Sequence, residues 1–419
     1  MKKDIDKVRW NVYLKNLKQN QIPIDYYSIA KELYSENIIV QTSLCVSGPM
    51  LISYGLWIIN EARRKGLEKL YFVARDGLIM NKIVCYFAEK MNLDIQCKYL
   101  YCSRYALILP VYSVNKELGL NLIFSGGSRV SLNTIFKRIG LTLEQQKEIR
   151  KSIEYSEEQS NVSLNNVGIS EIKNKLLRNK TFTDMLETLS KQSYEDIIQY
   201  FEQEGLLDNA VYLVDSGWRG NIQNNISVIL RSLNPMIKVE GFYFGLERMY
   251  KNQKYNCFYF SPQKKLFRVI HFNYNIFESF CSAEHGMTVG YKKNSDTIEP
   301  VLKDKFIRED FIQIQEKLIF EMMKRMEIQK VSPVPDSETL VKGFQKNLNL
   351  FMNNPTKTEV SYWGSIAYCE DESESYFVRL AEDIPKNQRV HYLIFRRLYD
   401  RVLTNKSKRI MSESFWIKG

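Results

Sequence analysis

Apolar and polar positions change period repeatedly along the first quarter of the chain. Residues 1–36 mix charge and read as helical. The segment Leu44–Ala62 is apolar and ends in Arg63-Arg64-Lys65-Gly66, where cations in a last turn and a glycine just beyond it spell a helix stop. A short apolar run, Leu70–Ala74, predicts a buried strand that breaks at Arg75-Asp76-Gly77. Leu78–Met91 then carries Ile79, Ile83, Phe87 and Met91 at helical spacing. Lys98-Tyr-Leu-Tyr-Cys-Ser103 predicts the next strand, with Ser103-Arg104 at its end. The same alternation returns with strand Ala210–Val214, helix Asn221–Leu233 and strand Lys238–Gly245. Strands and helices taken in turn predict an α/β fold with a Rossmann-like parallel sheet.

The intervening pattern is different. Ser125-Gly-Gly-Ser128 reads as a turn, Ser131 as the cap of a helix Leu132–Ile139, and 143–180 is polar and asparagine-rich with weak apolar periodicity. This predicts a helical insertion over 125–205, lying above the sheet as a lid or cap. From about 305 the pattern is helical again, as Phe306–Met326, Glu338–Met352 and Tyr392–Leu403, with the loop Ser332–Ser337 between the first two. The expected organisation is an N-terminal helical segment over 1–40, an α/β core over 41–300 and a helical C-terminal region over 301–419. No internal repeat, heptad run or low-complexity tract occurs.

Length and composition fit a substantial core: 419 residues, 44% hydrophobic, 13% aromatic. The 26 tyrosines and 22 phenylalanines read as core rings, not as a platform for bases. A net charge of +11 with pI ≈ 9.0 favours acidic partners, among them phosphorylated sugars, nucleotides and anionic surfaces. Seven cysteines (45, 85, 97, 102, 257, 281 and 369) form neither CxxC pairs nor a zinc spacing, and suit reduced core residues of a cytoplasmic protein. The N-terminus has no apolar stretch of secretory type. The uncharged stretch Asn37–Asn60 is interrupted by Gln41-Thr42-Ser43 and Ser47-Gly48-Pro49, so a buried helix is expected rather than a span of ~20 apolar residues.

Candidate chemistry gathers at the strand ends. Asp76 and Asp215 each follow a predicted strand and precede a predicted helix, so both belong at the carboxyl edge of the sheet, where open α/β folds bind ligands. An aspartate there holds a metal or moves a proton; it also serves as a plain helix cap. Arg75 and Gly77 beside Asp76 suit phosphate, through a guanidinium fork and free helix N–H groups. Ser216-Gly217-Trp218-Arg219-Gly220, followed by Gln223, reads as a turn in which backbone N–H groups and Arg219 hold an anion while Trp218 stacks on a sugar or base. Ser103 and Arg104 add a hydroxyl and a guanidinium to the same edge. The histidines, 271, 285 and 391, have no metal spacing, and no G-x-S-x-G, Walker or G-x-G-x-x-G motif occurs.

Several of these segments also resemble a bacterial family of haloacid-dehalogenase-like (HAD-like) proteins found in capsule and surface-polysaccharide gene clusters. They are Ser47-Gly48-Pro49 with Trp57, Tyr71–Gly77, Tyr99–Arg104, Val214–Gln223 and Phe351-Met-Asn-Asn-Pro-Thr356. The resemblance covers roughly residues 40–370. It implies a HAD-like sheet, with Asp76 at the position of the second aspartate of a D-x-D motif (the acid/base), Ser103 at the phosphate-binding Ser/Thr and Asp215 at the late acid of a Mg²⁺ site. Lys173, Lys175 and Lys191 are the candidates for the phosphate-binding lysine. The nucleophile position is Ala74, which cannot form an acyl phosphate. The implied function is phosphoryl or glycosyl transfer or hydrolysis on a phosphorylated or nucleotide-linked sugar, alongside other polysaccharide-assembly enzymes at the inner membrane surface. Two other readings stand beside it: a non-catalytic phosphate- or nucleotide-sugar-binding scaffold, and a phosphoribosyltransferase-like enzyme in which 211–223 cradles a phosphate. Nucleic acid is the least favoured partner.

Overall fold

A computed structural model describes residues 2–20, 22–126, 130–304, 309–327, 333–368, 378–381 and 416. The expected helix Tyr392–Leu403, Cys369, His391, the second half of the Ser125–Ser128 turn and Ser332 lie outside the described residues.

Three N-terminal helices, α1 (Lys2–Gln19), α2 (Tyr26–Glu32) and α3 (Ile38–Thr42), lead through a π-helical turn, Ser43–Ser47, into α4 (Gly48–Lys65). Gly66 closes α4 in the left-handed conformation at φ 62°, returning its N–H to Ala62 and Arg63 as the sequence stop predicts. Strand β1 (Lys69–Val73), helix α5 (Gly77–Lys90) and β2 (Gln96–Leu100) follow. Then come α6 (Arg104–Val114), α7 (Lys116–Ile123), α8 (Leu132–Arg138), α9 (Leu143–Ser152), α10 (Glu157–Asn161), α11 (Asn166–Leu177) and the long α12 (Lys180–Glu204). The sheet resumes with β3 (Ala210–Trp218), α13 (Asn221–Leu233), β4 (Lys238–Leu246) and β5 (Lys254–Phe260). A 3₁₀ turn, Leu266–His271, precedes α14 (Tyr274–Phe280) and a hairpin of β6 (Thr288–Asn294) and β7 (Thr297–Leu302). Helices α15 (Glu309–Arg325), α16 (Ser337–Lys342), α17 (Gln345–Asn353) and α18 (Lys357–Trp363) and a small ribbon, β8 (Ala367–Tyr368) with β9 (Val378–Arg379), complete it.

The main sheet has five parallel strands in the order β2-β1-β3-β4-β5. Side-chain alternation divides it cleanly. Leu70, Phe72, Val214 and Phe242 face one core shared with α4, α5, α1, α2 and α15–α17. Tyr71, Val73, Leu213 and Val239 face another shared with α6, α12 and α13. Both faces are covered, so the strands are apolar throughout, as parallel strands must be. The step β1→β2 carries α5 on one face, whereas β3→β4 runs the other way across the sheet with α13 on the opposite face, as right-handed crossovers require. The chain therefore reverses direction between β1 and β3. That is the switch point at which open α/β sheets form a crevice.

The structure is thus mixed α/β with a parallel sheet and a Rossmann-like arrangement. The helices of the insertion close a core of their own, including Phe136, Ile149, Leu176 and Phe182, against Ile108 and Tyr112 of α6. No strand contributes to that core. Segments 1–40 and 309–352 are not separate bodies: Tyr13, Ile29, Met322, Phe344 and Leu348 join Leu44–Ile59 and the sheet in a single core. The expected helix Glu338–Met352 is two helices broken at Gly343, where a Cβ would stand 2.5 Å from Ile22.

Candidate functional site

Asp76 lies just beyond the carboxyl end of β1, and Asp215 lies in the carboxyl half of β3, its neighbour. After β1 the chain turns through Ala74–Asp76, with a cis peptide between Ala74 and Arg75, and α5 begins at once. Gly77 permits this, because a Cβ there would sit 2.8 Å from the backbone of Phe72. Asp76 occupies the capping position of α5, yet its side chain makes no cap bond. It reaches across to β3 instead, where Ser216 Oγ donates to Asp76 Oδ2 at 2.5 Å. The Ser216 N–H donates to Asp215 Oδ1 at 2.9 Å. One buried serine therefore joins the two carboxylates. From below, the Tyr54 hydroxyl of α4 is shared between the main-chain carbonyls of Asp215 (2.9 Å) and Phe242 (3.0 Å), tying α4 to both strand ends.

The pair lines a crevice too narrow to admit a water-sized molecule, together with Tyr54, Gly77, Met80, Val214, Ser216, Phe277 and Cys281. Its roof is α14, and among the described residues none of the 125–205 insertion lines it. Glu278, also on α14, accepts a hydrogen bond from Trp218 Nε1 at 2.8 Å and adds a third negative charge to the neighbourhood.

This crowding governs protonation. Each aspartate is partly buried, with protein atoms crowding its carboxyl group. Burial, then the Glu278 charge, push Asp76 up to about 8 against the opposing pull of the Ser216 hydrogen bond; the Asp215 charge raises it further and Arg75 lowers it. Burial pushes Asp215 up to about 7, with Glu278 raising it further and Ser216 and Arg104 holding it down. Near neutrality the pair therefore holds about one proton between two carboxyl groups, an arrangement able to give a proton and to take one.

The remaining candidate residues divide. Arg75, half-buried, and Arg104, exposed at the start of α6, act electrostatically on Asp76 and Asp215 respectively. Arg219 is exposed and its charge acts on Tyr250. The Ser103 hydroxyl is used at both ends: it accepts from the Ala106 N–H (3.0 Å) to cap α6 and donates to the Thr288 carbonyl (2.6 Å). The expected turn over 216–220 is a correction. Strand β3 continues through Trp218, so Gly217 is a strand residue facing Gly245, and a Cβ on it would lie 2.2 Å from the Gly245 oxygen. Gly217 lets two strands approach closely. Trp218 is likewise no free stacking surface, since Phe260, Phe272, Tyr274 and Phe277 surround its ring. Gln223 is buried and fully engaged, donating to the carbonyls of Val239 and Lys254 and accepting from Tyr243, so it holds the sheet together rather than a ligand. Gly220 takes the left-handed conformation at φ 64° that starts α13.

Glu278 and Tyr54 are the site residues that sequence reasoning passes over. The sequence signal for Glu278 is a lone acid within the aromatic run Phe272–Phe280. Tyr54 carries no signal beyond lying in an apolar helix. His285 is structural, as its spacing suggests: Nδ1–H donates to the Gly286 carbonyl (2.8 Å), which leaves Nε2 to accept from Tyr99 (2.6 Å).

Compared with known protein families the chain matches none, and no curated protein matches it significantly.

Proposed function

We propose that this protein acts on a phosphorylated or nucleotide-linked sugar in surface-polysaccharide assembly, with Asp76 and Asp215 as its acid/base pair. The observation that carries the reading is the Ser216-bridged pair of carboxylates at the switch point, neither of which caps a helix through its side chain. Buried acids raised toward neutrality have little structural use and suit proton transfer at physiological pH. The HAD-like resemblance adds the substrate class. With Ala74 in place of a nucleophile, the reaction is direct transfer or hydrolysis: the ionised aspartate takes the proton of the attacking hydroxyl and the protonated one gives its proton to the leaving oxygen. Arg75, Arg104 and Arg219 supply positive charge for the phosphate.

Mg²⁺ fits the donor set in kind. Asp76 and Asp215 offer hard carboxylate oxygens in a surplus of negative charge, and Mg²⁺ is commonly held by one or two carboxylates with water and substrate phosphate completing the shell. Among the described residues no group of three or more His, Cys, Asp or Glu side chains has metal-ligating geometry, so the protein itself would supply only these two. When bound, the ion would neutralise phosphate charge.

Thermal denaturation of wild type and Asp215→Ala with nucleotide sugars, sugar phosphates and phosphoribosyl pyrophosphate, with and without Mg²⁺, tests the reading. A midpoint rise that requires the aspartate assigns the ligand class by mass action. No rise with any ligand removes it. The missing nucleophile at Ala74 favours a second reading, a scaffold that binds such a ligand without turnover; binding with no product would select it. The phosphoribosyltransferase-like alternative would place its phosphate beyond Trp218, where β3 ends.

A further inference from the structure

The 3₁₀ turn Leu266–His271 presents three large apolar side chains to solvent: Leu266 is 47% exposed, Phe267 60% and Ile270 52%. Residues three apart eclipse in a 3₁₀ helix, so Phe267 and Ile270 share one outward face. The turn is held firmly in this pose from behind. Arg268 is buried, donates to the Tyr259 carbonyl (2.8 Å), lies 4.9 Å over the Tyr259 ring and pairs bidentately with Glu338 (2.7 and 3.3 Å). Lys265, immediately before the turn, adopts φ 57°, a left-handed conformation unusual for a residue with a side chain. Lys264 and Lys265 are exposed beside the apolar trio.

We propose that this turn is a membrane-surface anchor, with Leu266, Phe267 and Ile270 entering the interfacial region of an anionic bilayer and Lys264 and Lys265 resting on its headgroups. Two observations select that occupant. The first is charge complementarity: the stretch Ser261–His271 contains no acid, the chain carries +11, and the nearest acid, Glu338, is taken up by Arg268 and, at 3.9 Å, Lys265. The second is size. Three partly exposed side chains offer at most a few hundred Å², well below the ~800 Å² per partner of a stable dimer, yet enough for interfacial insertion. The turn leads through Phe272 and Asn273 into α14, the roof of the crevice, so anchoring would set that roof close to the lipid surface. The inference does not depend on the chemistry within the crevice.

Vesicle flotation of the full chain tests it, without any sugar present. Wild type is expected to bind phosphatidylglycerol-containing vesicles at least tenfold better than pure phosphatidylcholine. Leu266→Ser/Phe267→Ser/Ile270→Ser should lose that binding at all salt concentrations. Lys264→Glu/Lys265→Glu should lose its salt-sensitive part, about fivefold per lysine removed. All five residues are exposed, and unchanged melting curves will verify that the variants are folded. Failure of the wild type to float, or equal flotation of the triple serine variant, overturns the proposal. A wild-type dimer in sedimentation velocity that the triple variant dissolves would overturn it too, and would assign the patch to a second copy.

Discussion

Ser216 is the residue on which the site's protonation turns. Its hydroxyl steadies the ionised form of Asp76, so Ser216→Ala should move the activity–pH profile upward, by roughly one unit for a lost hydrogen bond of about 1–1.5 kcal/mol. An unshifted profile would detach Ser216 from the titrating pair. Asp76 leaves a signature in stability as well. Its folded pKa, about 8, lies above the ~4 of an unfolded aspartate, so between these values the native state holds a proton that the unfolded chain has released. Stability from this group therefore falls as pH rises from about 4 to 8. Urea denaturation should show wild type losing stability between pH 5 and pH 8. Asp76→Asn should lose less, and should exceed wild type at pH 8 by on the order of 1–3 kcal/mol while losing activity. Equal losses in the two proteins would show that Asp76 is not the buried proton holder. The two aspartates were legible in the sequence because each comes just after an apolar run that forms a strand. Which way their side chains turn was not, and the same gap made Trp218 read as a free ring although four aromatic neighbours enclose it.

Among the elements, the close passage of β3 and β4 at Gly217 and Gly245 makes the sharpest prediction. Gly217→Ala would place a methyl group 2.2 Å from the Gly245 oxygen at a φ of 119°, and should cost upward of ~3 kcal/mol in denaturant unfolding. Gly290→Ala, also in a strand but with open space around its Cβ position, should be neutral within about 1 kcal/mol. Similar losses in both would mean that the close approach is not what glycine serves at 217. The strands of the central alternation, β1 to β4, could be read from the sequence because each is a short apolar run, and β1 and β3 are each followed by a patterned helix. The hairpin could not. Tyr291 and Ile298 are its only deeply buried apolar side chains, so neither strand shows a repeating pattern. Edge strand β5 ends in Phe258-Tyr259-Phe260, an aromatic run that periodicity alone cannot tell from a helix. Glu278 escaped for another reason: α14 brings it to the site by packing, more than sixty residues beyond Asp215.

At the scale of the molecule, α1 and α18 are locked together by a buried polar knot. Glu359 of α18 accepts from the Tyr13 hydroxyl and the Thr356 N–H and pairs with Arg9 at 3.6 Å. Glu359→Ala strands these groups and should destabilise the whole protein by about 3–5 kcal/mol, lowering a single thermal transition rather than splitting it, because α1, α4, the sheet and α15–α17 share one core. Two separate transitions would show that the termini fold apart from the sheet. The three segments marked off by the sequence pattern contribute side chains to one core. A change of pattern along the chain marks where elements differ, not where cores end.

The continuous helix from Ile38 to Lys65 is long and apolar enough to cross a membrane, and its most apolar stretch is entirely buried. Much of what buries it, including Met322, Phe344 and Leu348, is encoded some 260 to 310 residues later. At synthesis rates of ~5–20 residues per second, the ribosome delivers that covering on the order of 15–60 s after the helix itself. For that interval the nascent chain displays a segment with the length and hydropathy of a membrane anchor. Its safe arrival in the native fold is therefore a matter of timing, and of whatever shelters the helix while the rest of its core is still being translated.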